Sequence, residues 1–546
     1  MSEISIDNRG GRGLSVAALT LLAVSALLLL PWLGETFFNS KGEPREAIVA
    51  VSMLQSGDYI LPVNYGGDIP YKPPFMAWII AALAWLLNGG VVTEYISRLP
   101  SALAAIAMLW GGFAWVRRSH GDRFALMMSL VTLTSVEVLR AAVACRLDMV
   151  LTACMVSALY MLYDLRERGG RYRSLRYGGV IVLLSCAVLT KGPVGALLPC
   201  LAFGIYKLLR GDNLLATAGS MTAIAVAAMV VPAWWYYAAY QRGGDEFFDL
   251  AWEENIGRLT GTMSYSSHEK PFYYNFATVI IGMLPWSAVA LCALPSARRL
   301  WRQLRAHKLR PEALFALTAF ATIFIFYCIP HSKRSVYLLP CYPFMAYGVT
   351  TLLRAVRRRR ALRVGVAVAA VIAILAPIAV AAAQGYSIGH IVAGELRWWH
   401  YLLLAAPIAT AATWLARRRH HLGYLIAMMC TLELSYLSVV QPMVLNSQSD
   451  KPLVPVIEAA APEGVIYSTP ECESLRYYSI NFYLGDRMRL LPDLESAESL
   501  PAGAVVLLAP ANSDTTGMWA KFDMQQLTER SGDSRRPIVL AQKRQF

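Results

Sequence analysis

Charged residues are scarce in this sequence: Asp, Glu, Lys and Arg together make up only 16% of its 546 residues. Soluble globular domains usually carry about 25%. Hydrophobic residues make up 56% of the chain, and the mean hydropathy is +0.44. This balance excludes an ordinary soluble enzyme and indicates a polytopic membrane protein.

The sequence also lacks the spacings of a metal site or a disulfide framework. It has no CxxC pair and no Cys/His cluster, and most of its cysteines lie inside apolar runs. We therefore interpret the cysteines as small residues of the apolar core. No metal and no other cofactor is predicted, with a divalent cation left open.

No basic soluble domain or nucleic-acid motif accompanies the net charge of +14. The lysines and arginines instead cluster in short loops between apolar runs, as the residues that set membrane orientation do. This pattern excludes nucleic acid as a partner. The sequence also has no internal repeat of the kind that marks many transporters.

Long apolar runs are abundant. A helix of about 20 residues crosses the hydrocarbon core of a bilayer, and we predict about thirteen such spans. The first is interpreted as a retained anchor, because no small-residue cleavage site follows it. The predicted spans lie near 14–33, 97–116, 123–142, 148–165, 176–190, 193–209, 214–236, 273–295, 311–329, 336–353, 362–384, 400–416 and 422–441.

A shorter apolar stretch, Phe75 to Leu87, decides the orientation. If it lies along the membrane surface and the N-terminus is cytoplasmic, five basic loops all face the cytoplasm, as the positive-inside rule expects. Counting it as a span would put all five outside. We therefore predict an interfacial helix there. The five loops are 117–123, 166–176, 297–310, 354–363 and 416–421.

This topology divides the chain into two predicted domains. Residues 1–445 form a transmembrane domain with two large outer loops, 34–96 with its interfacial helices and 237–272. Residues 446–546 form a small α/β domain outside the membrane, with a helix at Ser474–Leu484. Short apolar runs separated by Pro, Gly, Asp and Ser predict its strands, at 464–467, 488–491, 504–508 and 537–540.

Carboxylates collect on the predicted outer face. Glu43 follows the first span and begins an amphipathic helix with Glu46, and Asp148 opens a helix in the next outer loop. Each has a structural explanation: Glu43 compensates charge at a helix N-terminus, and Asp148 acts as an N-cap. The alternative is that one of the two carboxylates is the general base that deprotonates an acceptor nucleophile.

Five basic residues complement these carboxylates on the same face. Alone, each would be explained as a side chain that extends to the membrane interface. Together they predict a site for a phosphate held at the membrane surface. They are Lys72, Lys191, Arg258, Lys333 and Arg334.

Several motifs over the first 350 residues follow one order. They are EPREAIVAVSML, PYKPP, SRLPSALAA, RLDM, LTKGPVGALLP, WEENIGR, HEKPFYYN and SKRSVYLLP. As a set they resemble the ArnT and protein O-mannosyltransferase-like branch of the GT-C glycosyltransferases. The resemblance implies a GT-C fold with an extracytoplasmic C-terminal domain. It also implies inverting transfer of a sugar from a polyprenyl-phosphate donor to an acceptor at the periplasmic face.

The same resemblance implies roles for individual residues. Glu43 and Asp148 would be catalytic, with Glu43 standing in for an acid that the family carries at the position of Gly42. Lys72, Lys191, Arg258, Lys333 and Arg334 would bind the donor phosphate. The substrate-binding residues would be Arg45, Tyr71, Glu254, His268 and Tyr337. Asn255 replaces a family histidine.

We therefore predict an inner-membrane glycosyltransferase with a cytoplasmic N-terminus and a periplasmic C-terminal domain, acting as a monomer. Its partners would be a polyprenyl-phosphate sugar, an acceptor that is either lipid A or a protein hydroxyl, and membrane lipids. The alternative is a transporter or flippase of lipid-linked sugars, which charged residues within the spans and helices broken at the midplane would mark. The sugar and the acceptor stay open.

Overall fold

A computed structural model describes most of the chain. The described residues are 15–40, 42–65, 67–70, 72–257, 260, 269–293, 309–355, 359–388, 391–469, 477–493, 495–508, 517–531 and 536–544. Three of the predicted site residues, Tyr71, Arg258 and His268, lie outside this set. Their roles stay predictions.

Helices dominate the part of the chain before residue 446. They are α1 (Val16–Leu29), α2 (Gly42–Ser56), α3 (Phe75–Asn88), α4 (Glu94–His120), α5 (Asp122–Leu133), α6 (Val136–Ala142), α7 (Leu147–Glu167), α8 (Arg173–Lys191), α9 (Val194–Leu209), α10 (Leu214–Trp252), α11 (Tyr274–Gly282), α12 (Trp286–Ala293), α13 (Pro311–Cys328), α14 (Tyr342–Ala355), α15 (Arg359–Ala382), α16 (Trp398–Arg417), α17 (His421–Ser435) and α18 (Gln441–Leu445). A two-residue hairpin of β1 (Ser387–Ile388) and β2 (Ile391–Val392) separates α15 from α16.

Eight helical segments within the described residues are long and apolar enough to cross a membrane. The number rises to ten if each of two bent pairs is one span: α5 with α6, bent by 73°, and α11 with α12, bent by 99°. Each of the thirteen predicted spans coincides with a helix or a bent pair. The multi-span helical architecture is confirmed, and the count of thirteen stays a prediction.

The stretch predicted as an interfacial helix is helical and forms α3. One face of α3 packs on α2, where Ile80 and Ala84 lie in a common core with Ala47 and Met53. The opposite face is exposed, with Trp85 at 71%. The amphipathic helix predicted to begin near Glu43 is also present, as α2.

The predicted outer loop 237–272 is helical over much of the part that the structure describes. The span predicted to end at residue 236 continues in α10 as far as Trp252, with a change of direction at Gly244, whose φ is 57°. Phe247 and Ala251 are buried beside Leu61 of the first outer loop. This apolar packing extends the helix beyond the length that a membrane span requires.

The C-terminal residues form the predicted α/β domain. Its elements are α19 (Val454–Ala460), β3 (Ile466–Ser468), α20 (Tyr477–Tyr483), β4 (Met488–Leu490), β5 (Val505–Leu508), β6 (Phe522–Ser531) and β7 (Arg536–Lys543). The sheet order is β4-β3-β5-β7-β6. β3 is parallel to both neighbours, and β7 is antiparallel to both of its own. The four predicted strands and the helix are confirmed, and β6 was not predicted.

This small domain is fixed to the first outer loop. The ring of Phe482 in α20 packs edge-on against Phe38, with centroids 4.8 Å apart. Ser52 of α2 donates a hydrogen bond to Asp486, with an oxygen-to-oxygen distance of 2.9 Å. Tyr483 donates from its hydroxyl to Glu94 at the start of α4, at 3.0 Å. The domain therefore braces the helices that carry the predicted site.

Candidate active site

The chain brings three predicted site residues together where helices begin or end. Asp148 lies in the first turn of α7 and Lys191 is the last residue of α8. Because α7 and α8 form an antiparallel hairpin, the start of one helix lies beside the end of the other. Lys72 belongs to the proline-rich segment that leads into α3. The site is thus built at one end of the helical bundle.

Asp148 and Lys191 form an ion pair in which the aspartate is buried and the lysine is partly exposed. The Lys191 ammonium donates a hydrogen bond to Asp148 Oδ1. The same ammonium lies 4.2 Å from the ring centroid of Tyr337, within the range of a cation–π interaction. Carboxylate, ammonium and aromatic ring therefore come from three separate parts of the sequence.

Glu46 and Lys72 form the second ion pair of the site. The Lys72 ammonium donates to Glu46 Oε1, and Arg45 Nη2 lies 3.2 Å from the same oxygen. Burial tends to raise the pKa of Glu46, but the Lys72 ammonium and the Arg45 guanidinium outweigh it and hold the pKa below its usual range. For Lys72, burial is the largest effect and lowers the pKa to about 8. Lys72 can therefore lose its charge under mildly alkaline conditions.

The Glu43 carboxylate accepts three hydrogen bonds from two residues. Arg98 Nε donates to its Oε1 at 2.8 Å and Arg98 Nη2 to its Oε2 at 3.1 Å, while the backbone N–H of Cys145 donates to Oε1 at 2.8 Å. Arg98 is 2% exposed, and its Nη1 also donates to the carbonyls of Leu33 and Thr36. Burial tends to raise the pKa of Glu43, but Arg98 and the amide outweigh it and keep the carboxyl ionised.

Gly42, the position at which the resemblance implies an acid, faces a cation. A Cβ atom added at Gly42 would lie 3.2 Å from Nη2 of Arg146 and 3.6 Å from its Cζ. Arg146 also acts electrostatically on Glu43 and Asp148. A carboxylate at position 42 would therefore enter the same charged cluster.

A cavity opens beside the second ion pair. Arg45, Glu46, Asp68 and Lys72 supply its charge, and Pro70, Pro73, Pro74 and Trp235 form part of its wall. The C-terminal domain contributes Tyr478, whose hydroxyl donates to Asp68 Oδ2 at 3.2 Å. Three parts of the chain thus enclose a polar space of mixed charge next to Lys72.

Glu254, another predicted site residue, lies in a segment that packs against the TKG motif at residues 190–192. Glu254 belongs to a π-helical turn, Glu253–Gly257, that follows α10. In this turn Asn255 lies so close to Gly192 that a Cβ at Gly192 would be 2.0 Å from its Oδ1. Gly192 also has a φ of 88°. Only glycine therefore fits next to Lys191 in this arrangement.

Lys333 is buried, and its ammonium donates to the carbonyls of Pro330, at 2.5 Å, and Lys270, at 3.3 Å. It thus ties together two backbone segments. Arg334 is the residue that precedes the 3₁₀ helix Ser335–Cys341, which carries Tyr337. The phosphate-binding roles of Lys333 and Arg334 stay predictions. Within the described residues, no group of three or more His, Cys, Asp or Glu is arranged to hold a metal ion.

The sequence analysis missed three residues that build this site. Arg98 is the one charged residue of an otherwise apolar predicted span. This pattern indicates a buried partner, so the sequence could have predicted that Arg98 forms an ion pair. Glu46 was noted only as a neighbour of Glu43. Tyr478 carries no local signal, since its place at the cavity depends on how the C-terminal domain packs.

Comparisons with known proteins agree with this architecture. Residues 71–237 match the family model described as dolichyl-phosphate-mannose-protein mannosyltransferase. A protein of Aquifex aeolicus described as uncharacterized is 29% identical over 334 residues, 59% of this chain and 62% of its own length. The undecaprenyl phosphate-alpha-4-amino-4-deoxy-L-arabinose arabinosyl transferase of Pectobacterium atrosepticum is 28% identical over 349 residues, 62% of this chain and 60% of its own length. The chain thus spans about 60% of the length of these relatives.

The structural match is more extensive. The crystal structure of ArnT from Cupriavidus metallidurans bound to undecaprenyl phosphate superposes with a TM-score of 0.76 at 22% identity, covering 96% of this chain and 97% of that one. Its apo form gives a TM-score of 0.75. The predicted fold class, a GT-C membrane domain with a small C-terminal domain, is therefore confirmed.

Proposed function

We propose that this protein, a member of the ArnT and protein O-mannosyltransferase-like branch of the GT-C glycosyltransferases, transfers a sugar from a polyprenyl-phosphate donor to an acceptor hydroxyl or phosphate. The observation that carries the proposal is the pair of partly buried ammonium–carboxylate contacts, Lys191 with Asp148 and Lys72 with Glu46, at one end of the bundle. Buried charges are costly unless they are paired or serve a ligand.

The donor phosphate would bind to the ammonium groups of Lys72 and Lys191. With Arg45 and Arg146 beside them, these four cations outnumber the three carboxylates Glu46, Asp68 and Asp148, because Glu43 is matched by Arg98. The excess of positive charge suits a phosphodiester. Arg258, Lys333 and Arg334 complete the proposed phosphate site. During transfer the bond between the anomeric carbon and the phosphate oxygen breaks, its electron pair stays on the phosphate, and the fixed cations stabilise that charge.

The contacts favour Asp148 over Glu43 as the general base. Both oxygens of Glu43 already accept hydrogen bonds from Arg98, which supports a positioning role. Within the described residues, the Asp148 carboxylate accepts a side-chain hydrogen bond only from Lys191. A donor phosphate that attracts Lys191 would loosen this contact and leave Asp148 able to take the acceptor proton as the acceptor oxygen attacks the anomeric carbon. Donor binding and base availability would thus be coupled.

The chain's many apolar helices and its fold support a multi-pass location in the inner membrane. We infer that the site faces the periplasm, with the N-terminus in the cytoplasm, since the basic loops then all lie inside. The donor would enter from the outer leaflet. Arg45, Tyr71, Glu254, His268 and Tyr337 would contact the substrates. The acceptor would be lipid A or a protein hydroxyl, and the protein would act as a monomer.

Mass spectrometry of a strain that lacks this protein tests the proposal and separates the two acceptors. Lipid A and periplasmic glycoproteins would be compared with those of the parent strain. We expect one of the two classes to lose a sugar, and complementation with the wild-type chain to restore it. Unchanged glycosylation in both classes would refute the proposed acceptors.

A further inference from the structure

A groove lies at the end of the bundle opposite to the active site. Helix α4 begins at Glu94, near the site, and its 27 residues end at His120, which is about 40 Å along a helix. α7 runs in the same direction, from Leu147 to Glu167. The groove lies between the far ends of these two helices, the start of α1 and the start of α5.

The wall of this groove is apolar. It includes Val16 and Ala17 of α1, Phe113 of α4, Leu126 of α5 and Met161 of α7. The volume is about 1450 Å³, whereas pockets for drug-sized ligands measure roughly 300–1,000 Å³. Val16 is 81% exposed. The space is thus long and open enough for a ligand with hydrocarbon chains.

The rim of the groove is positively charged. It carries four arginines and two aspartates, an excess of two positive charges; they are Arg117, Arg118, Arg123, Arg176, Asp122 and Asp164. Asp164 is contacted by three guanidinium groups, those of Arg118 at 3.4 Å, Arg168 at 2.7 Å and Arg176. One carboxylate cannot neutralise three guanidinium groups. An anion at this rim would therefore gain favourable electrostatic energy.

We propose that this groove binds an anionic phospholipid, with its phosphate at the arginine rim and its acyl chains along the wall formed by α1, α4 and α7. Basic pockets between transmembrane helices on the cytoplasmic side recognise anionic head groups. The loops 117–123 and 166–176 are the ones that the charge distribution assigns to the cytoplasm. A soluble anion would leave the apolar wall unused, and a zwitterionic lipid would leave the excess positive charge uncompensated. The proposal does not depend on the reaction at the other face.

Native mass spectrometry of the delipidated, detergent-purified protein tests this site. Phosphatidylglycerol and phosphatidylethanolamine would be titrated separately into the wild type and into the triple variant Arg118→Gln, Arg123→Gln, Arg176→Gln. A matched control is Arg417→Gln, Arg418→Gln, Arg419→Gln, which removes the same charge from another loop assigned to the cytoplasm. Each arginine near a head group contributes about 1 kcal/mol, so the first triple variant should bind phosphatidylglycerol on the order of a hundredfold more weakly.

Arg123→Gln alone provides a milder test, because Arg123 is exposed and its replacement leaves the contacts of Asp164 intact. We expect about fivefold weaker binding of phosphatidylglycerol, by the same scale. Equal losses in the groove variant and the control variant would overturn the proposal, since they would indicate general attraction to a basic surface. Equal affinity of the wild type for the two lipids would overturn it as well.

Discussion

Lys191 and Asp148 are joined across the α7–α8 hairpin by a hydrogen bond and ion pair, and the ring centroid of Tyr337 lies 4.2 Å from the same ammonium. A lysine in this position faces two demands. It compensates a buried carboxylate, and in the proposed reaction it would also bind the donor phosphate. A phosphate that competes for Lys191 would then release Asp148.

Lys191→Ala should therefore abolish most of the proposed transferase activity. Loss of one group that stabilises developing charge typically lowers turnover by about 10²–10³-fold, and a radioactive or mass-labelled donor would measure it. Lys207→Ala is the matched control, because Lys207 lies at the opposite end of the bundle, 4.0 Å from Asp212. Wild-type turnover in Lys191→Ala would remove the proposed phosphate contact.

Glu43→Gln should act mainly on stability. It leaves the buried guanidinium of Arg98 without its carboxylate, a loss that costs about 3–5 kcal/mol in buried pairs, and thermal unfolding in detergent would detect it. Asp148→Asn should instead lower turnover. If Glu43→Gln abolishes turnover while its unfolding temperature stays that of the wild type, Glu43 is the base and the assignment to Asp148 is wrong.

Gly42→Asp should stabilise the protein. The new carboxylate would lie at the start of α2, where acidic groups are favourable, and next to the guanidinium of Arg146. We expect the free energy of unfolding to rise by roughly 1 kcal/mol. Gly42→Asn, which has the same size and no charge, is the control. Equal stability of the two variants would show that an electrostatic attraction between Arg146 and a charge at position 42 does not stabilise the protein.

Binding of polyprenyl phosphate should weaken as the pH rises through about 8, where Lys72 loses its proton. In the unfolded chain Lys72 has its ordinary pKa of 10.5, so between these values the unfolded state binds more protons and this group makes folding more favourable as the pH rises. Weaker binding would thus not reflect unfolding caused by Lys72.

Titration of undecaprenyl phosphate into the protein at pH 7 to 9.5 would measure the binding affinity. Lys72→Arg, which stays charged, should bind independently of pH over this range; a decline equal to that of the wild type would exclude Lys72 as the cause.

Asp486→Asn should loosen the C-terminal domain. The Asp486 carboxylate accepts hydrogen bonds from Ser52 Oγ at 2.9 Å, the N–H of Tyr65 at 3.1 Å and Asn481 Nδ2 at 2.8 Å. An amide in its place loses at least one acceptor, which costs about 1–3 kcal/mol in a buried site. Limited proteolysis should release the domain faster than in the control Asp493→Asn, whose hydrogen bond to Ser496 is exposed. Equal rates would contradict the bracing role of Asp486.

The sequence predicted the features that depend on local pattern. Apolar run length located the helices. The interfacial position of α3, which rests on the positive-inside rule, stays a prediction. Short apolar runs located β3, β4, β5 and β7. The strand β6 was missed because FDMQQLTERS is largely polar, and it forms by pairing with β7. The extension of α10 was missed because it depends on packing against Leu61.

For the site, the sequence identified most of the charged residues but not their pairing. The sequence left the base open between Glu43 and Asp148, and the contact that distinguishes Glu43 comes from Arg98, 55 positions away. Likewise, nothing local indicates that Lys333 reaches the carbonyl of Lys270, 63 positions away. Pairing across such distances depends on the fold. The resemblance supplied the reaction, whereas the structure supplies the partners of each charge.

Sugar transfer requires that the donor's sugar–phosphate bond breaks, and this breakage can be measured directly. The polyprenyl-phosphate sugar would be extracted from a strain that lacks this protein. Purified protein in detergent would be incubated with it, together with membranes of the same strain as the source of acceptor. We expect the wild type to release free polyprenyl phosphate and Lys191→Ala to release almost none. An intact donor after incubation with the wild type would contradict the proposed transfer, and is the result expected of a flippase, which moves its lipid without breaking that bond.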